Sequence, residues 1–304
     1  MVVSEVSLAK MRQHVKPVRR LWIKVFTGFF TAPCLFVAKI IRSMPKSAIP
    51  QSVLTIAGSD SSGGAGIAAD LKTFAAFGVH GLAAITAVTS QTARRVQAIH
   101  RIPATQVRAQ IEAAFADFRV DAVKIGMLGS APIARAVAAV LCAAAPRHIV
   151  LDPVLASSSG TVLLSKAGLR VLREELVPLA TLLTPNLPEA EILLGRRIRD
   201  RARAAQDLRA LGPHAVLLKG GHGRGSDVRD VLTDARGVTE FRHPRLPIHA
   251  RGTGCALASA IAAGLARGRS LRAAVADAEA FLQHALAASF PITRGSVRIL
   301  SMNP

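Results

Sequence analysis

The chain has 304 residues, half of them hydrophobic, with a mean hydropathy of +0.35, so it buries a core without disulfides and is not a disordered chain. Its formal charge of +20 favours polyanionic partners, from nucleic acid to ATP, but with 4% aromatics and no Tyr the base-stacking surfaces of single-strand binders are poorly supplied. Three distant cysteines (Cys34, Cys142, Cys255) exclude a disulfide framework and a CxxC zinc site, and they fit a reducing, cytoplasmic setting.

Residues 1–48 differ from the rest. They hold nine Lys and Arg against one acid, Glu5, and five aromatics: Trp22, Phe26, Phe29, Phe30 and Phe36. Residues 25–38 form an uncharged run between Lys24 and Lys39. A bilayer span takes about 20 apolar residues; this run is shorter and Pro33 interrupts it. The leading reading is an extension dispensable for the chemistry, or a mis-assigned start, because Met44 stands just before the first strand. A segment lying on a membrane surface is the second reading and a true span the third. The working domain is then residues 49–304.

From there the pattern is α/β. A buried strand is expected at 53–57, running into Gly58-Ser59-Asp60-Ser61-Ser62-Gly63-Gly64-Ala65-Gly66 and a helix at 67–77. A short apolar run at 81–87 follows, then a helix at 105–118, a strand at 122–125 and a helix at 133–145. A strand at 149–152 ends on Asp152. Leu182-Leu183-Thr184 leads into Pro185-Asn186, and a strand at 215–219 ends on Lys219 before Gly220-Gly221. Gly252-Thr253-Gly254-Cys255 opens a long Ala-rich helix, and 271–289 is another. Strands alternating with helices imply a mostly parallel sheet covered on both faces. Ligands of such sheets sit at the carboxyl ends of the strands, where the polar clusters of this sequence fall.

Gly252-Thr253-Gly254-Cys255 is a Gly-rich turn feeding a helix N-terminus. Free N–H groups and the positive end of the helix dipole there suit a phosphate in transfer. Cys255 falls in the first turn, where a thiolate is stabilised; a plain helix start with a small buried Cys reads equally well from this motif alone. Gly58–Gly66 is neither GxxxxGK[ST] nor GxGxxG, which removes support for P-loop and Rossmann readings. Its small residues let a flat ligand approach the backbone, and Asp70, further along, could reach back to it; a solvent-facing helix acid is the alternative. Asp152 and Glu189 could hold a hydrated Mg²⁺ beside ATP phosphates, or serve as a helix N-cap and a first-turn charge. Lys219 could neutralise charge in phosphoryl transfer. Asp200, Arg201, Arg203, Arg224 and Arg229 read as solvated surface.

The ordered set of motifs is more specific than any one. The stretch from Ile56 through Gly58, Ala65, Gly66 and Asp70 to Phe74 resembles the opening of the hydroxymethylpyrimidine/phosphomethylpyrimidine kinases of thiamin synthesis. The order continues with Thr86-Ala87-Val88-Thr89-Ser90-Gln91, Lys124-Ile125-Gly126-Met127-Leu128, Leu151-Asp152-Pro153-Val154, Thr184-Pro185-Asn186-Leu187-Pro188-Glu189-Ala190, Lys219-Gly220-Gly221-His222 and Gly252-Thr253-Gly254-Cys255. The resemblance covers residues 52–290. It implies a ribokinase-like fold, three layers α/β/α around a mostly parallel central sheet. It also implies ATP- and Mg²⁺-dependent phosphorylation of 4-amino-5-hydroxymethyl-2-methylpyrimidine and of its monophosphate, and a homodimer.

Residue by residue, the resemblance puts Gly58, Ala65, Asp70, Gln91, Met127 and Val154 around the pyrimidine, with Gln91 and Asp70 reading its polar edge. Asp152 and Glu189 match acids near Mg²⁺; Asn186, Lys219, Thr253 and Gly254 match nucleotide contacts. Gly252, Thr253 and Gly254 match an anion hole with Lys219 beside it, and Cys255 matches the catalytic base. Residues 155–164 match a flap. Three positions depart from the family: Arg251 for a usual His, Ala256 for a common Thr, and Glu279 where many members carry Lys near the nucleotide. The alternatives are a related pyridoxal/pyridoxine kinase and, outside enzymes, a basic membrane-surface or nucleic-acid-binding protein resting on residues 1–48. The motifs favour a small-molecule pyrimidine substrate over nucleic acid or membrane.

Overall fold

The nine-residue strand β1 (Ser52–Asp60) is buried almost throughout, as a central strand covered on both faces must be. In the computed structural model, which describes residues 50–92, 95–157, 160–221, 225–292 and 294–302, β1 pairs in parallel with β2 (His80–Gln91) on one side and β4 (Ala122–Ile125) on the other. The extension at 1–48 lies outside the described residues. β5 (Ile149–Leu151), β6 (Leu182–Leu183) and β7 (Ala215–Leu218) continue the parallel run. Antiparallel strands close both edges: β3 (Val96–Arg101) against β2, and the hairpin β8 (Asp227–Asp234) and β9 (Gly237–Pro244) against β7. The order is β3-β2-β1-β4-β5-β6-β7-β8-β9. The expected mostly parallel sheet is present; the hairpin β8–β9, with its many charged residues, and the short, half-polar β3 do not read as strands from hydropathy.

Helices cover both faces. α1 (Gly66–Ala76), α7 (Thr253–Ala266) and α8 (Leu271–Ala287) pack on one face around Val53, Phe74, Val150, Leu217 and Ile261. α2 (Ala104–Asp117), α3 (Ala131–Ala144), α4 (Lys166–Val171), α5 (Leu187–Leu194) and α6 (Arg201–Arg209) pack on the other around Leu54, Ile56, Ile125, Leu151 and Leu183. Alternate residues of β1 thus feed opposite cores, as the strand period of two requires. Arg201 and Arg203 lie on α6, and Asp200 caps it by accepting from the Arg203 N–H at 3.1 Å.

The strand after β1 in sequence lies to one side of it and β4 lies to the other, so the strand order reverses at β1. That reversal opens a crevice at the carboxyl ends of β1 and β4. A short parallel pair, β10 (Ala250–Arg251) with β11 (Arg298–Ile299), brings the start of α7 against the loop after β1.

Candidate active site

The carboxyl ends of the parallel strands open on one cavity of about 710 Å³. At one end it is lined by Gly58, Ala65, Met127 and Val154, with Gln91 at the end of β2. Gly58 has a steric reason: a Cβ there would sit 3.1 Å from the Met127 sulfur. Met127 is fixed in turn by Thr86, whose hydroxyl donates to the Met127 carbonyl at 2.6 Å. Ala87, Met127, Leu163 and Val154 form a small apolar cluster of their own, which suits the faces of a flat ring.

The middle of the cavity is built for an anion. Gly252 has φ +77°, and a Cβ there would collide with the Gly64 carbonyl, so only glycine fits. α7 starts at Thr253 with no side chain capping it, and Gly252, Thr253, Gly254 and Cys255 all line the cavity. Uncapped first-turn N–H groups attract phosphate. Burial pushes the Cys255 thiol up; Lys124 and a hydrogen bond from the Gly66 N–H pull the other way, without reversing it. The helix-terminal thiolate expected from sequence is therefore not the resting form, because desolvation outweighs the helix end.

Lys219 follows β7. Its N–H donates to the Pro185 carbonyl at 2.8 Å, and it pairs with Asn186 as an isolated parallel bridge. Its Nζ lies 2.7 Å from Asp152 Oδ1. Burial alone would lower the lysine; Asp152, then Glu189, override it, so the pKa is raised and the cation is secure. Thr184 donates to the same Asp152 oxygen at 3.2 Å.

Asn186 and Glu189 form a capping box on α5. The Asn186 side chain accepts from the Glu189 N–H at 2.9 Å, and Glu189 Oε2 accepts from the Asn186 N–H at 2.8 Å. The Glu189 carboxyl is pushed up to about 7, first by burial and further by Asp152, while Lys219 opposes the shift. Two carboxyls that disfavour each other's charge fit a hard divalent cation, which would relieve that repulsion. Among the described residues no cluster of three or more His, Cys, Asp or Glu could hold a metal. Mg²⁺ shared with phosphates and water needs only one or two carboxylates, so Asp152 and Glu189 fit it.

Asp70 corrects the sequence reading. It is fully buried and does not line the cavity. Both its oxygens are 2.9 Å from Lys124 Nζ, Thr55 donates at 2.6 Å and Ser259 at 2.8 Å. Its carboxylate is thus occupied by protein donors and does not face a pyrimidine. Lys124, which sequence reasoning passed over, lies under the cavity floor with its charge held by Asp70; the neighbouring carboxylate overrides the effect of burial and raises its pKa. The signal was present as a lone Lys within the otherwise apolar strand Ala122–Ile125.

Arg251 does not stand free for a phosphate. Its guanidinium lies 3.7 Å from Asp60 and donates to the Thr92 carbonyl at 3.1 Å, tying three loops together. Ala256 is fully buried in the α7 core. In the expected flap at 155–164, Ala156 and Val162 form an antiparallel bridge, with Ala156, Ser157 and Leu163 on the cavity; Ser158 and Ser159 lie outside the described residues. So do His222 and Arg224. Glu279, on α8, lines the cavity beyond Lys219.

A family model described as phosphomethylpyrimidine kinase matches residues 60–299. The chain is 47% identical over 250 residues to a hydroxymethylpyrimidine/phosphomethylpyrimidine kinase of Streptomyces coelicolor, covering 81% of this chain and 92% of that one. It is 46% identical over 248 residues to a thiamine biosynthesis bifunctional protein of Geobacter sulfurreducens, covering 80% of this chain and spanning only 51% of that longer protein. A crystal structure of phosphomethylpyrimidine kinase from Clostridium difficile superposes with TM-score 0.69 at 39% identity, over 77% of this chain and 98% of that one. An ADP complex of Bacillus subtilis pyridoxal kinase superposes with TM-score 0.76 at 33% identity, over 83% and 97%. The fold is ribokinase-like in both comparisons. With the match spanning most of the domain and the motif residues gathered in one cavity, the chain belongs to the phosphomethylpyrimidine kinase family.

Proposed function

We propose that this chain transfers the terminal phosphoryl group of ATP to the hydroxymethyl oxygen of 4-amino-5-hydroxymethyl-2-methylpyrimidine. A second transfer, to the resulting monophosphate, gives the diphosphate used in thiamine biosynthesis. One observation carries the reading: the apolar slot of Gly58, Ala65, Met127 and Val154 shares a cavity with the uncapped start of α7, Cys255 and Lys219.

In this reading Gln91 and the slot orient the ring with its hydroxymethyl group toward Cys255. Cys255 rests as the thiol and must first release its proton to solvent; the thiolate then takes the hydroxyl proton as the oxygen attacks phosphorus, and the bond from phosphorus to the bridging oxygen of ADP breaks. The N–H groups of Thr253 and Gly254 and the Lys219 ammonium meet the charge that develops on the transferred group. Asp152 holds Lys219 in place, and Asn186 keeps the neighbouring turn in shape. Mg²⁺, when bound at Asp152 and Glu189, would neutralise phosphate charge. The second transfer needs the base less, because a phosphate monoester is already largely ionised near neutral pH.

The test is direct: incubate the protein with ATP, Mg²⁺ and the hydroxymethylpyrimidine and look for mono- and diphosphate products. The likeness to the pyridoxal kinase of Bacillus subtilis supports a second reading, pyridoxal/pyridoxine phosphorylation. Gln91 and Met127 at the ring end favour the aminopyrimidine. Comparing kcat/KM for the two substrates separates them.

The family resemblance also leads us to propose a homodimer, which sedimentation at several concentrations tests. No helix among the described residues is long and apolar enough to cross a membrane. We place the working protein in the cytoplasm, which cell fractionation tests, and hold residues 1–48 dispensable for its chemistry.

A further inference from the structure

α8 turns a stripe of Ala274, Val275, Ala278, Glu279, Leu282 and Ala285 inward. Glu279 is the one acid in it. Its side chain is 8% exposed, it lines the cavity, and neither carboxyl oxygen has a hydrogen-bond partner in the protein. The nearest ring nitrogen, His243 Nδ1 on β9, is 3.4 Å away. Asp230 on β8 faces the same carboxyl and competes for its proton, but no hydrogen bond joins the two side chains and one Asp230 oxygen is already engaged by the Gly220 N–H at 2.6 Å. A buried polar group left unpaired by its own protein is costly, and a ligand that pairs it recovers that cost.

The place of Glu279 in the cavity says what kind of ligand. If phosphoryl transfer occurs at Cys255 and Lys219, the pyrimidine lies toward Met127. The rest of the nucleotide must then extend the other way, toward β8, β9 and α8. There Val228, Leu246, Leu282 and Leu286 offer apolar surface for a flat base. Burial, then the adjacent Asp230 carboxylate, pushes the Glu279 carboxyl up to about 10, so it is a neutral acid near pH 7. A neutral carboxyl presents a donor and an acceptor side by side. Adenine presents the matching pair, an amino group next to a ring nitrogen.

We infer that Glu279 is a specificity residue for the nucleotide, donating a hydrogen bond to a ring nitrogen of the base and accepting one from the adjacent amino group. This rests on the kinase reading of the cavity. It makes the base, rather than the sugar or phosphates, the part of the nucleotide that Glu279 reads.

The test is calorimetric binding of ADP and of purine riboside 5′-diphosphate, which lacks the amino group, to the full chain near neutral pH. Wild type should prefer ADP by about tenfold, the worth of the one amino contact that the analogue lacks and of the acceptor left unpaired without it. Glu279→Gln keeps a donor beside an acceptor and should keep the preference. Glu279→Leu keeps the volume but should weaken both nucleotides, ADP more than the analogue, so that the two bind alike. Equal weakening of both nucleotides in Glu279→Leu, with the preference kept, would assign Glu279 to the ribose or to structure and overturn the inference. Loss of the preference in Glu279→Gln would overturn it as well. Wild type that binds ADP without any preference would remove the inference and leave the kinase reading standing. Wild type that binds neither nucleotide would contradict the kinase reading itself, and the inference with it.

Discussion

Lys124 Nζ lies 2.9 Å from both carboxylate oxygens of Asp70, and neither side chain reaches solvent. The pair joins β4 to α1, and Ser259 on α7 donates to the same carboxylate. Ser259 is one helical turn beyond Cys255, so the face of α7 that carries the thiol is fixed against a buried charge pair. Three elements of the active site are thereby held in register from beneath.

That pair should matter for stability. Removing one partner of a buried ion pair typically costs about 3–5 kcal/mol, because the other charge is left unpaired. Lys124→Met should show that loss in urea unfolding. The double variant Asp70→Leu with Lys124→Met should recover much of it, since no lone charge remains. Equal stability of the single and double variants would mean that packing, not charge, sets the cost.

Cys255 should carry the proton transfer. Cys255→Ala should lower kcat for the first phosphorylation by about 10²–10⁴, the usual worth of a general base. KM for the pyrimidine should change little, and the second phosphorylation should suffer less. Steady-state rates measured separately on the alcohol and on its monophosphate check this.

Gln91 should bind the ring. Gln91→Ala should raise KM for the pyrimidine by about five- to fiftyfold, the range of one or two lost hydrogen bonds, and leave KM for ATP near its wild-type value. Parallel changes in both constants would make the residue structural.

Much of this site could be read from sequence because its parts follow one local rule: they fall at or just beyond the carboxyl ends of apolar strands. Gly58 near the end of β1, and Met127, Asp152, Asn186 and Lys219 within three residues of the ends of β4, β5, β6 and β7, all meet in the cavity. Asp70 did not yield to that rule. Its helix spacing allows a turn toward ligand or toward the core, and only Lys124 and Ser259, distant in sequence, decide between them. The hairpin of β8 and β9 was hidden by Arg229, Asp230, Glu240 and Arg242, the charged residues that keep an edge from pairing with another chain. With it were hidden Asp230 and His243, and therefore the surroundings of Glu279.

Glu279 should also leave a mark on the pH dependence of stability. Its folded pKa is raised to about 10, above the ordinary carboxyl range, with Asp230 on β8, His243 on β9 and Lys219 after β7 facing it. The folded state therefore holds a proton that the unfolded chain gives up. This stabilisation is complete below the ordinary carboxyl pKa and is lost as pH rises toward about 10. Glu279→Gln cannot ionise, so its unfolding free energy should fall less steeply between pH 5 and 10 than that of wild type. Parallel curves would show that Glu279 is ionised in the folded protein.

The extension should be separable from the chemistry. A chain beginning at Met44 keeps every cavity residue, the first of which is Ala57. It should fold, with an unchanged melting temperature and unchanged kcat. Loss of folding in the shortened chain would make residues 1–43 structural. Sedimentation of the full chain alone with anionic vesicles would make them a membrane-surface segment.

Product analysis with the full chain tests the pyrimidine kinase reading most directly. ATP, Mg²⁺ and the hydroxymethylpyrimidine are mixed with the protein and the phosphorylated pyrimidines are followed over time, beside an identical reaction on pyridoxal. The monophosphate should appear first and the diphosphate should follow, with a higher kcat/KM on the pyrimidine than on pyridoxal. Efficient pyridoxal phosphorylation with no pyrimidine diphosphate would contradict the account.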